Sequence, residues 1–269
     1  MKSKLFKGTL IVLATTFVST LGIFASDTLR GIDGGIASLS SRETGVCPKG
    51  MVAQKINDGL ICVDEYEATP AESCPHTTPR NVFETEKNAS TKECYAASVR
   101  GKAPWTFITL SQAQRVCAEA GKRLPTSDEW FQIALGTDAA LCTIHKSSPN
   151  ETGTNECLSS SRVYDTIGNV WEWVNETVEG NTFHDRSLPD EGYVTSADAS
   201  GVAITTHTES ADVLYGEDYF WSKSEGVFGM IRGGFYGSEE DAGLYTVNAT
   251  VATNFASQGV GFRCVRDII

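Results

Sequence analysis

The sequence is short of basic residues. Lysine and arginine total 22 against 34 aspartates and glutamates, a net charge of −12 over 269 residues. A nucleic-acid groove or an anionic membrane surface calls for a basic face, so neither is expected as the partner. Histidine is scarce too. His76, His145, His184 and His207 are scattered, with no His-x3-His pair, which gives no support to a histidine-rich iron site. They read as ordinary surface residues. No CxxC occurs, which argues against a zinc ribbon or a thioredoxin-like redox motif. No internal repeat appears, and residues 235–260 contain no cysteine.

What is present points outward from the cell. Lys2, Lys4 and Lys7 precede an uncharged run from Gly8 to Ala25, the pattern of an export segment. Cleavage after Ala25 would leave Ile23 where a small residue is usual, and the run is long enough to span a bilayer. Secretion and an uncleaved membrane tether therefore both stay open. Residues 26–45 are Gly/Ser-rich and read as a linker, with a single domain over 46–269. Eight cysteines, an even number, agree with export and disulfide bonding. The preferred pairing is Cys47–Cys62, Cys74–Cys94, Cys142–Cys157 and one long-range bond, Cys117–Cys264. Buried free thiols are the alternative for some of them.

Local signals place helices early and strands late, an α+β class. Leu60–Val63 reads as a buried strand on a segment that ends at Pro70, and 71–102 as a disulfide-stapled polar loop. Thr109 with Gln112 and Thr126 with Glu129 form capping boxes that start two helices, closed by Gly121 and Gly136. Leu110, Ala113, Cys117 and Ala120 share one face of the first helix. Trp130, Ile133 and Ala134 are the buried set of the second. After Leu141 the reading is short strands and long loops, with 176–227 acidic and irregular. Trp171 and Trp173 alternate as in a strand, and one of them is expected to bury.

Four segments in order carry a resemblance: Pro104-Trp105 with Ile108-Thr109; Lys122-Arg123-Leu124-Pro125-Thr126 with Glu129-Trp130; Tyr164 to Val174, containing Gly168-Asn169-Val170-Trp171-Glu172-Trp173; and Arg232-Gly233-Gly234 followed by Gly261-Phe262-Arg263. Together they resemble the formylglycine-generating-enzyme (sulfatase-modifying factor) domain, over roughly residues 46–269. The resemblance implies a variant of the C-type lectin fold. The enzymes of that family need a reactive cysteine pair between the last two marks. This chain lacks one, and Cys264 reads as structural, so no catalytic residue is assigned.

A second branch of the fold fits the pattern better. Variable proteins of diversity-generating retroelements carry a diversified stretch between an Arg-Gly-Gly and a Gly-Phe-Arg mark near the C-terminus. The resemblance implies a non-catalytic binding protein whose segment 232–264 is varied to suit different targets. The matching positions are Tyr236, Gly237, Ser238, Glu240, Asp241, Thr250, Val251, Phe255, Ser257 and Gly259, with Phe235 and Glu239 as additions. Asp241–Asn248 would supply the fixed strand between them, with Leu244 and Tyr245–Val247 anchored in the core and loops on either side. The partner would be a protein or surface ligand. The alternatives are an enzyme of the same fold and a non-catalytic carbohydrate-binding envelope protein. Resemblance to a calcium loop of the enzyme family implies a structural ion held by Asp165 and Glu172 carboxylates and the Gly168 and Val170 carbonyls.

Overall fold

The computed structural model describes residues 47–57 and 59–268. The expected export segment and linker lie outside the described residues, among which no helix is long and apolar enough to cross a membrane. In chain order the elements are β1 (Met51–Ile56), β2 (Gly59–Asp64), β3 (Ala68–Pro70), α1 (Val82–Ser90), β4 (Ala96–Ser98), α2 (Leu110–Glu119), α3 (Ser127–Ala134), β5 (Trp171–Glu179), β6 (Thr182–Phe183), β7 (Arg186–Ser187), β8 (Gly192–Ala197), β9 (Ala203–His207), β10 (Tyr219–Trp221), β11 (Val227–Arg232), β12 (Val247–Val251), β13 (Val260–Gly261) and β14 (Val265–Asp267).

The main sheet runs β7-β6-β5-β11-β12-β10-β8-β9, with β13 lying parallel beside β5. A smaller sheet, β1-β2-β14, takes in the last strand of the chain, and β3 pairs with β4. Strand β5 opens with four consecutive buried residues, Trp171 to Val174, because both of its faces are covered. On one face Trp171, Trp173 and Ile231 pack with Leu110, Ala113, Val116 and Cys117 of α2. On the other, Val174, Val178 and Met230 pack with Trp130 and Ala134 of α3. Each such buried apolar side chain contributes on the order of 1.5–3 kcal/mol, so the two helices hold the sheet from opposite sides.

Both helices start where their capping boxes place them. The Thr109 hydroxyl accepts from the Gln112 N–H and the Gln112 side chain accepts from the Thr109 N–H; Thr126 and Glu129 repeat the arrangement. The first helix stops one residue early: Ala120, expected on its buried face, is the C-cap and only half-buried.

Three further expectations are corrected. Residues 71–102 hold α1 and β4 as well as loop; the Asn81 side chain caps α1 by accepting from Phe83 and Glu84 N–H, and the buried side chains of that helix are Thr85, Asn88 and Ala89. Trp171 and Trp173 are both buried, since residues two apart on a strand share a face. The fixed strand of the C-terminal segment starts at Val247, because 239–241 form a short 3-10 turn and Gly243–Thr246 a second turn.

All eight cysteines are paired: Cys47–Cys62, Cys74–Cys94, Cys142–Cys157 and Cys117–Cys264, the pairing preferred from sequence. The last of these spans 147 residues and ties α2 to the segment entering β14.

Candidate functional site

The C-terminal segment begins and ends on buried arginines. Arg232, at the end of β11, is fully buried and donates through Nη1 and Nη2 to the carbonyls of Ser127, Ser200, Gly201 and Leu244 and to the Ser127 hydroxyl. Its guanidinium lies 4.9 Å from the Trp130 ring and 5.6 Å from the Phe131 ring. No carboxylate touches it, and burial pushes it down to about 10. Arg263, also fully buried, donates to Glu172 from both Nε and Nη2, the latter at 2.5 Å, and to the carbonyls of Asp64 and Tyr164. Burial alone would lower Arg263; the Glu172 carboxylate overrides it and holds the guanidinium above its ordinary value. The two arginines meet through one side chain. Trp130 Nε1 donates to Glu172 at 2.7 Å while its ring lies under Arg232.

Between these posts the chain makes the wall of an open cavity of about 530 Å3. Phe235, Tyr236, Thr250, Val251, Phe255, Ser257 and Gly259 line it, all of them positions expected to vary. Trp171, Ile231, Asn248, Ala252, Gln258 and Val260 complete it, and no charged side chain is among the lining residues. The pocket therefore offers aromatic and aliphatic area with neutral hydrogen-bonding groups. Thr250 and Val251 reach it from strand β12, where loop positions were expected. Phe235 packs against the core below and meets Tyr236 edge-on at 4.9 Å, and Phe255 is 45% exposed at the mouth. Two larger hollows, of about 770 and 690 Å3, flank β4 and are formed without the C-terminal segment.

The remaining expected positions, Gly237, Ser238, Glu240 and Asp241, do not line the cavity. The Lys146 N–H donates to the Tyr236 carbonyl and the Glu239 N–H to the Ile144 carbonyl, which ties 236–241 to the 144–146 loop. Ser238 is spent locally, its hydroxyl accepting from the Phe235 N–H. Gly233 explains the turn that opens the segment. Its φ is +87°, and a Cβ there would lie 2.5 Å from the Thr166 carbonyl oxygen.

The four residues expected to hold calcium, Asp165, Gly168, Val170 and Glu172, are engaged within the fold through their carboxylates and backbone N–H groups. Both Glu172 oxygens accept from Arg263, and one also accepts from Trp130. The Asp165 carboxylate accepts from the Gly153 N–H, and burial pushes it up to about 6. The Val170 N–H donates to Glu67, whose carboxyl is pushed well up by burial and by Asp165 and Glu172, while the Gly168 N–H donates to the Gly233 carbonyl. Among the described residues no group of three histidines, cysteines, aspartates or glutamates is arranged to hold a metal. The four histidines lie apart: His145, His184 and His207 are exposed and His76 is half-buried.

Sequence reasoning missed Trp171, Ile231 and Asn248 as pocket residues, and it missed Trp130 as the link between the arginines. Only strand register brings the first three together: Ile231 pairs with Asn248, and Trp171 sits beside Val260.

Residues 145–268 match the family model of the sulfatase-modifying factor enzyme 1-like domain. With the topology above, this makes the fold the α+β, disulfide-held C-type lectin fold of the formylglycine-generating-enzyme type. Among solved structures the chain is similar to Major Tropism Determinant I1 Variant, at 18% identity over 83% of this chain and 54% of that one with a TM-score of 0.45. It is also similar to PvdO from Pseudomonas aeruginosa (13% identity, 81% and 90% covered, TM-score 0.44) and to Treponema denticola variable protein 1 (12%, 82% and 100%, TM-score 0.41). The chain spans about half the length of the tropism determinant chains it matches. No curated protein matches it.

Proposed function

We propose, from the sulfatase-modifying-factor likeness of residues 145–268 as premise, that this protein is a non-catalytic binder that displays the segment 232–264 and that a retroelement diversifies that segment. The observation that carries the reading is the pocket itself. Phe235, Tyr236, Thr250, Val251, Phe255, Ser257 and Gly259, taken from the resemblance to variable proteins, converge on one cavity above a floor of Trp171 and Ile231. Side chains at the mouth of such a cavity can change without refolding the scaffold, because the core beneath is set by other residues. Rigid aromatics such as Tyr236 and Phe255 give contact area at low entropic cost. Binding would then rest on shape and side-chain complementarity, with no bond made or broken.

Export to the cell exterior belongs to the proposal and is supported by the lysine-led apolar run at the N-terminus and by the four disulfides. The test is genomic. A near-copy of the codons for residues 232–263, differing at adenines and lying beside a reverse-transcriptase gene, is the expected result. A complete genome lacking both would sink the diversification reading.

A further inference from the structure

Beyond the pocket the same sheet face carries a row of rings. Paired residues on neighbouring strands share a face. Ile231 pairs with Trp173 and with Asn248, Asn248 pairs with Trp221, and Tyr219, two residues back on β10, pairs with Tyr193 on β8. The rings follow one another: Trp171 to Trp221 at 5.9 Å, Trp221 to Tyr219 at 4.6 Å, and Tyr219 to Tyr193 at 5.1 Å. Trp171 also lines the pocket, so the row leads directly out of it. Trp221, Tyr219 and Tyr193 are half-buried, belong to regular strands and precede residue 232. Variation of the C-terminal segment would leave them unchanged.

The surroundings are acidic. Burial first, then the Glu191 carboxylate, the Tyr193 ring and the Asp241 carboxylate, push the Tyr219 phenol up. Asp241 in turn has Glu240 and Glu239 beside it, but all three are among the positions expected to vary, so the constant carboxylate beside the row is that of Glu191. Aromatic faces present negative charge density, and carboxylates at their edge add to it. The described residues do not supply the matching cation. The cation–ring contacts among the described residues are Arg100 on Tyr164, Lys223 on Phe228 and Arg232 on Trp130 and Phe131. Lys223, the basic residue nearest Trp221 in sequence, is therefore turned to Phe228.

We propose that Trp221, Tyr219 and Tyr193 form a constant subsite for an arginine side chain of a protein partner, adjoining the varied pocket and independent of what that pocket holds. Arginine fits better than a neutral sugar because its planar guanidinium stacks on rings while pairing with carboxylates, and because the whole chain carries a net charge of −12. A fixed arginine anchor would orient any partner, and the varied pocket beside it would then choose among partners. The proposal does not depend on the segment varying, so an absent genomic template would leave it standing.

Calorimetric titration of the purified protein with a triarginine amide, and separately with a cellulose trisaccharide, tests it. Saturable binding of triarginine is expected, weakened roughly tenfold by Trp221→Ala and by Tyr219→Leu, largely retained by Trp221→Phe and unchanged by Phe83→Ala, at an exposed ring on α1 outside both the pocket and the row. Tyr219→Leu keeps the bulk and removes the ring face, so it decides the matter even if Trp221→Ala fails to fold. Undiminished triarginine binding in Tyr219→Leu would reduce the effect to general attraction by an acidic surface and overturn the proposal. Binding of the trisaccharide in place of triarginine would overturn it in favour of a sugar site.

Discussion

At the scale of single residues, the frame of the C-terminal segment depends on Trp130. Its indole N–H is one of the donors to Glu172, which neutralises Arg263, and its ring supports Arg232. A buried ion pair adds little net stability when whole, yet removing a partner is costly because the remaining charge is left in a dry interior. Trp130→Phe keeps a ring beneath Arg232 and deletes only the donor. We expect a loss of about 1–3 kcal/mol, read as a lower denaturant midpoint with an unchanged slope. A midpoint equal to the parent's would mean that Arg263 alone satisfies Glu172. The Arg232 Nε has no hydrogen-bond partner among the described residues, so the stacking on Trp130 carries part of what holds that guanidinium in place.

At the scale of elements, the last disulfide joins α2 to the strand that closes the small sheet. Cross-linking residues so far apart removes much chain entropy from the unfolded state, roughly 3–5 kcal/mol in the loop model. Replacing Cys117 and Cys264 together by alanine should lower stability by about that amount while the other three bonds persist, and guanidinium unfolding without reductant measures it. The elements that sequence made legible are those whose signal is local. Capping boxes marked the starts of α2 and α3, and the paired glycine motifs marked both ends of the C-terminal segment. Helix α1 was not legible, because Phe83, on its first turn, is 82% exposed and its buried side chains are mostly polar. The pocket was half legible for a similar reason. Its rim lies on one stretch of chain, whereas its floor comes from β5 and β11 by register. Gly237 to Asp241 carry the same pattern as the rim, but hydrogen bonds to Ile144 and Lys146 draw their stretch away from the cavity, and no sequence signal announces those bonds.

At the scale of the whole molecule, buried carboxylates set how the protein answers to pH. Asp218, 2% exposed, accepts from the Tyr245 N–H at 2.5 Å beneath the Gly243–Thr246 turn, and burial pushes it up to about 7. Its folded value lies above the unfolded one. Its contribution to stability is therefore complete below the ordinary carboxylate range and is lost as pH rises through about 7. Glu67 and Asp165, both raised chiefly by burial, act in the same direction. The unfolding temperature should fall between about pH 5 and about pH 8, and Asp218→Asn should flatten that fall. Thermal melts of both proteins across this range are the check, and parallel curves would rule Asp218 out as a source of the slope.

The anchoring of the C-terminal segment has a further consequence, which concerns length rather than composition. Arg232 fixes its beginning, while Arg263 and Cys264 fix its end. Among the described residues, the exposed stretch Ala252–Phe255 is held by the Leu110 N–H on the Thr253 carbonyl, by its own Phe255 N–H on the Ala252 carbonyl and, just beyond its end, by the Phe107 N–H on the Ser257 carbonyl. In polymer terms this is a loop whose closure has already been enforced by the rest of the molecule. Doubling such a loop costs only about 0.6 kcal/mol. The wall of the pocket at Phe255 is thus as free to grow or shrink as it is to change side chains, and a chain lengthened after Asn254 should keep its unfolding midpoint while the size of its pocket changes.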